Sequence, residues 1–186
     1  MKIGISVGHS ILLSGECTSA DGTVMGGGNE YEYCCRLAPA LKRQLEEAGH
    51  TVTVLRVPEK MVVDQGEERK YKLQQYNSEE FDLILELHLN QSTRPHSEGT
   101  EAFYISDEGK KYAEAIVTKL ALENGQGLWK GRSAKRRADI EFLTKTKAIA
   151  VQLELFFCNN RSEWKRGQKN RQKIAKLITE AIESVN

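Results

Sequence analysis

Residues 81–90 read FDLILELHLN. Phe81 to Leu87 is a short, mostly apolar run of strand length, which predicts a buried strand. Glu86 interrupts it and stands two residues before His88, on the same face of that strand. Strand signals recur on both sides: Lys2 to Val7, closed by Gly8, and Thr51 to Val57, closed by Pro58, come before it. Gly99 to Ile105, Ile140 to Leu143 and Ala148 to Phe157 come after it. Helical patterns lie between them. Asn29 is a helix N-cap, and Cys34, Leu37, Ala38, Leu41, Leu45 and Ala48 fall on one face before Gly49 stops the helix. Pro39 should kink or break that helix because it lacks a backbone donor. The polar stretch from Pro58 to Gln75 reads as a weakly patterned helix. Tyr112, Ile116, Lys119 and Leu120 mark another, and Ile174, Leu177, Ile178, Ala181 and Ile182 face inward from a last one. This alternation predicts a single α/β domain over residues 1–186 with a mainly parallel sheet.

The 186 residues are 39% hydrophobic and 28% charged, enough for one full core. Lys+Arg of 27 against Asp+Glu of 26 argues against nucleic acid or an anionic membrane as the main partner. The run from Lys130 to Arg137 reads as a basic, solvated loop with Trp129 at its edge. It lacks the interleaved aromatics of a nucleic-acid patch, and a substrate-facing role for it is open. The N-terminus enters a strand directly and does not read as a signal peptide, and no stretch could span a membrane. Cys17, Cys34, Cys35 and Cys158 lack CxxC spacing and are expected to be reduced thiols in a protein made in the cytoplasm.

Ligands of open α/β sheets gather beyond the carboxyl ends of the strands. His9 follows the first strand in VGHS, and His88 ends LELH. Glu30 lies one residue past the N-cap Asn29, after a loop rich in Gly, Ser and Thr. Two histidines and one glutamate leave a zinc ion one open position for water, and a nearby carboxylate can take that water's proton. Each residue alone has a plainer explanation: a histidine after a strand is often a hydrogen-bonded loop residue, and Glu30 suits a helix N-terminus. Glu154 alternates with Val151, Leu153, Leu155 and Phe157 in a strand that looks buried on both sides. A buried carboxylate must be paired, protonated or near a cation, so Glu154 faces either a basic partner or a metal-bound water. Glu86 either orients a ligand or pairs with a base. His96, in a polar turn, and His50, after a helix-ending glycine, are expected at the surface.

VGHS at the first strand, GNEYEY opening the first helix, DLILELHLN, EGTEAFYIS and AVQLELFFCNN occur in that order across nearly the whole chain. In these pieces the chain resembles the zinc-dependent N-acetylmuramoyl-L-alanine amidases, in particular the catalytic domain of clostridial phage endolysins. The resemblance implies a twisted six-stranded sheet with helices on both faces. It also implies one zinc ion held by His9, Glu30 and His88, with Glu154 as catalytic acid/base. The implied reaction is hydrolysis of the amide between N-acetylmuramic acid and L-alanine in bacterial peptidoglycan, with Asn90 a candidate to help hold the carbonyl oxygen. The implied place of action is the cell wall, after release of a chain made without a leader. Ile149 stands where many relatives carry proline, and Glu86 where they carry a small residue. Such lysins usually add a wall-binding domain, and none is expected within this chain. Two other readings fit the same residues: a zinc peptidase or other amidohydrolase, and a non-catalytic wall-binding module.

Overall fold

A computed structural model describes residues 1–94, 96–122, 125 and 127–185. The strands are β1 (Lys2–Val7), β2 (Thr51–Leu55), β3 (Leu83–Asn90), β4 (Thr100–Tyr104), β5 (Gly131–Arg136) and β6 (Ile149–Phe157). The helices are α1 (Glu30–Glu47), α2 (Gln65–Tyr76), α3 (Asp107–Leu120), α4 (Glu141–Lys145), α5 (Arg161–Lys169) and α6 (Arg171–Glu183). They build one sheet in the order β2-β1-β3-β6-β4-β5. Every neighbouring pair is parallel except β4 with β6.

Period-two alternation sorts the central strands into two faces. Ile3, Ile5 and Val7 of β1, the leucines 83, 85, 87 and 89 of β3, and Val151, Leu153 and Leu155 of β6 join α1, α3 and α6 in the main core. Each such side chain, fully buried, contributes about 1.5–3 kcal/mol. On the opposite face Ile84, Phe103 and Ala150 pack with Tyr76 of α2 and with Phe142 and Leu143 of α4. Toward the carboxyl ends of β3 and β6 that second face turns polar, carrying Glu86, His88, Asn90, Gln152 and Glu154. The strand holding Glu154 is therefore apolar on one side only.

The structure changes several boundaries. Ile140 to Leu143 is not a strand: Ile140 is extended, and the helix α4 begins at Glu141, burying Phe142 and Leu143. A four-residue apolar run cannot tell strand from helix by its period. Lys130 to Arg137 is not a loop: Gly131 to Arg136 forms the edge strand β5, mostly exposed. Its basic residues protect a sheet edge from further pairing, which hides it from a search for apolar alternation. The polar helix α5 carried no apolar signal; Asn160 caps it by accepting from Ser162 and Glu163. Helix α1 runs unbroken past Pro39. Pro39 is exposed, and it leaves the carbonyl of the half-buried Cys35 without its helical donor. His50 is not a free surface residue, because its ring is largely covered and meets Glu183 Oε1 at 2.7 Å. His96 is exposed, and Pro95 of its turn lies outside the described residues. All four cysteines are free thiols.

Candidate metal centre

His9, Glu30 and His88 arrive from three elements and meet. His9 follows the end of β1, Glu30 is the first residue of α1, and His88 lies within β3. Asn29 fixes the start of α1 by accepting from the Glu32 amide at 3.0 Å. Gly8 lets the His88 ring lie against the chain, since a Cβ there would come within 2.3 Å of the ring. One potential ligand atom from each of the three residues lies within 4.8 Å of the others. His9 Nε2 is 3.2 Å from Glu30 Oε2, and His88 Nδ1 is 2.9 Å from Glu30 Oε1. The Glu30 carboxylate also accepts the backbone amides of Ala20 at 3.0 Å and Leu89 at 2.8 Å.

The hydrogen-bond network assigns the tautomer of His9. Thr18 gives its only hydroxyl proton to Glu68 at 2.7 Å and so accepts from His9 Nδ1, at 3.4 Å. His88 Nε2 stands 3.3 Å from Glu86 Oε2, an acceptor. His9 thus donates from its far nitrogen, whereas His88 has a carboxylate at both nitrogens, Glu86 at Nε2 and Glu30 at Nδ1. One nitrogen from each ring and the Glu30 carboxylate crowd one point, and they repel unless a proton or a cation lies between them. That donor set, with both far nitrogens held, fits a divalent metal such as zinc. Without a metal the same crowding lifts His88: burial opposes its charge, but Glu30 and Glu86 outweigh burial and carry it to about 10. Glu30 is buried, yet His88 and His9 hold it well below the usual carboxylate range.

Glu154 sits beside His88, its register partner on the adjacent strand. It is 8% exposed and accepts from Gln152 Nε2 at 2.9 Å. Among the described residues no lysine or arginine pairs with it, so the plain ion-pair reading fails here. Burial pushes it up to about 7; His88 opposes this and Glu30 adds to it. Asn90 faces the same side but donates from Nδ2 to Glu101 at 2.6 Å.

Glu86 meets both His88 and a base, the latter through residues the sequence did not single out. Beneath the cluster Lys72 of α2 is 7% exposed. Its Nζ lies 2.7 Å from Glu86 Oε1 and donates to the Gly8 carbonyl. Tyr76 donates to Glu86 at 2.8 Å and meets Ser6 at 2.7 Å, and Ser10 donates to Glu68 at 3.0 Å. Glu68, Lys72 and Tyr76 are four residues apart and form the buried stripe of α2. That spacing was the available signal. Lys72 ties the residue before His9 to the acid that orients His88. Lys72→Met is therefore expected to weaken zinc binding about 10- to 100-fold, measured by competition with a chelator. Unchanged affinity would show that the two histidines hold their places without it. A cavity of about 420 Å³ opens beside these groups, between His9, His88 and Gln152 on one side and Arg69 and Phe142 on the other.

The N-acetylmuramoyl-L-alanine amidase family (Amidase_3) matches residues 3–184. The chain belongs to this family. Among solved structures, the amidase-family chain is similar to the catalytic domain of the CD27L endolysin targeting Clostridium difficile. That match has 42% identity and a TM-score of 0.91, covering 99% of this chain and 97% of the other. The CwlD amidase of Clostridioides difficile, solved with the GerS lipoprotein, shares the fold at 20% identity and a TM-score of 0.85, covering 99% and 97%. So does AmiC2 of Nostoc punctiforme, at 22% and 0.80, covering 99% and 96%. No curated protein sequence matches.

Proposed function

We propose that residues 1–186 are a zinc-dependent catalytic domain that cleaves the amide between N-acetylmuramic acid and L-alanine in bacterial peptidoglycan, with His9, Glu30 and His88 as metal ligands. The carrying observation is the convergence of two imidazole nitrogens and one carboxylate beside a buried acid, Glu154, that has no lysine or arginine partner among the described residues. A zinc ion held there by His9, Glu30 and His88 would supply Lewis-acid polarisation and would lower the pKa of water toward about 7. Glu30 and the far-side partners Thr18 and Glu86 hold both imidazoles in place. Glu154 takes a proton from the attacking water and delivers it to the leaving amine nitrogen, a task suited to a carboxyl poised near 7. Gln152 keeps that carboxylate turned toward His88. The substrate places the activity at the cell wall. Among the described residues no helix is long and apolar enough to cross a membrane.

Digestion of purified peptidoglycan by the zinc-loaded protein is expected to expose new L-alanine amino groups and no new reducing sugar ends. New amino groups from within the stem peptide, with alanine still capped, would instead mean a peptidase.

A further inference from the structure

The edge strand β5 carries a distortion that its pairing makes visible. Thr100 pairs with Gly131 and Ala102 with Ala134, so two steps along β4 span three along β5. The extra residue is taken up where Ser133 adopts a left-handed φ of 72°, an uncommon conformation for a side-chain-bearing residue. In a regular strand Arg132 and Lys135, three apart, would point to opposite faces. Here both reach one carboxylate: Arg132 Nε is 3.4 Å from Glu101 Oε1, and Lys135 Nζ pairs with Glu101 Oε2.

Glu101 is buried, and in the antiparallel register it lies directly opposite Glu154. Asn90 also donates to it. One buried acid thus holds two cations, so Glu101, Arg132 and Lys135 together carry one net positive charge. Their side chains are 37% and 43% exposed, so both remain open to a ligand. The Arg132 guanidinium carbon also lies over the Phe157 ring, 5.1 Å from its centre. Protection of a sheet edge needs outward cations only; it does not need a bulge that turns two of them onto one buried acid opposite Glu154.

We infer that Arg132 and Lys135 form a subsite for a carboxylate on the peptide side of the scissile amide. This rests on the proposed amidase reading. In that substrate the muramic acid carboxyl is consumed in the amide bond, so an anion close to the bond belongs to the peptide that begins with L-alanine. Glu101 is a positioning residue that holds the two cations at the cleft, and a guanidinium suits a carboxylate by its paired donors.

Two N-acetylmuramoyl-dipeptides test this, identical except that the second residue's carboxyls are free in one and amidated in the other. The wild-type holoenzyme is expected to prefer the acid about tenfold in kcat/KM, mainly through KM, with the preference shrinking as salt is added. In Arg132→Gln/Lys135→Gln the preference should fall below about twofold, and in the charge-preserving swap Arg132→Lys/Lys135→Arg much of it should return. The same pair is titrated calorimetrically into zinc-loaded Glu154→Gln protein, where binding is read without turnover. Equal binding of acid and amide, or a preference that survives the double substitution, overturns the subsite. Preferential binding of the acid with no hydrolysis by the wild type keeps the subsite and overturns the amidase reading alone.

Discussion

Glu154→Gln is expected to lower peptidoglycan hydrolysis by about 10²- to 10⁴-fold while the protein still binds zinc, because the amide keeps the shape but cannot accept the proton. Turnover on a soluble muramoyl-peptide and zinc content by atomic absorption read the two halves of this separately. Wild-type turnover in the variant would remove Glu154 from the reaction, and zinc loss would make it part of the metal site. The same substitution carries a stability consequence with a definite sign. Burial raises Glu154 in the folded state from 4.5 to about 7, so the metal-free folded chain binds a proton that the unfolded chain has already released. The metal-free protein therefore loses stability as pH rises from about 4.5 to 7, by roughly 3 kcal/mol in total. Glutamine has no such loss. Metal-free Glu154→Gln should unfold at higher denaturant concentration than the metal-free wild type at pH 8 and show little advantage at pH 4.

Glu30→Ala should be the most damaging single change. Its carboxylate meets both imidazoles and accepts the Ala20 and Leu89 amides. Removing it strips a proposed ligand and leaves the buried Leu89 amide and the half-buried Ala20 amide without this acceptor, and it separates His88 from half of its acid clamp. Breaking one side of a buried charged cluster costs about 3–5 kcal/mol. Zinc binding should become undetectable at micromolar metal, and the unfolding midpoint of the metal-free protein should drop. A variant that keeps zinc at wild-type affinity would place the metal elsewhere.

The fold and the centre of the site were legible for the same reason. In β1, β3 and β6 the leucines, isoleucines and valines alternate strictly enough to show a strand, and the polar residues that break the run are the ones that face the cleft. His9, Glu30 and His88 could be named because strand ends and a helix start are marked by Gly8, Asn29 and the end of the apolar run. What failed to show lies where burial is not apolar or where a strand is not buried. Helix α2 hides Glu68, Lys72 and Tyr76, so its inward face looked like an outward one. Strand β5 is mostly exposed, and its bulge breaks even the period it has. Ile140 to Leu143 was apolar but too short to declare a period. The Lys72 and Glu101 clusters depend on residues 14 and 34 positions apart, Lys72 with Glu86 and Lys135 with Glu101. No local pattern reports such pairs.

Division of labour along β3 also limits how this enzyme can diverge. Leucines at 83, 85, 87 and 89 build the core while Glu86, His88 and Asn90 face the cleft. Substitutions at the second set can alter chemistry without disturbing packing. Loss or gain of one residue between them exchanges the two sets, sending a histidine into the core and a leucine to the proposed metal position. Recombination between related lysins can therefore splice this strand in even steps only, so their insertions should accumulate in the connecting loops.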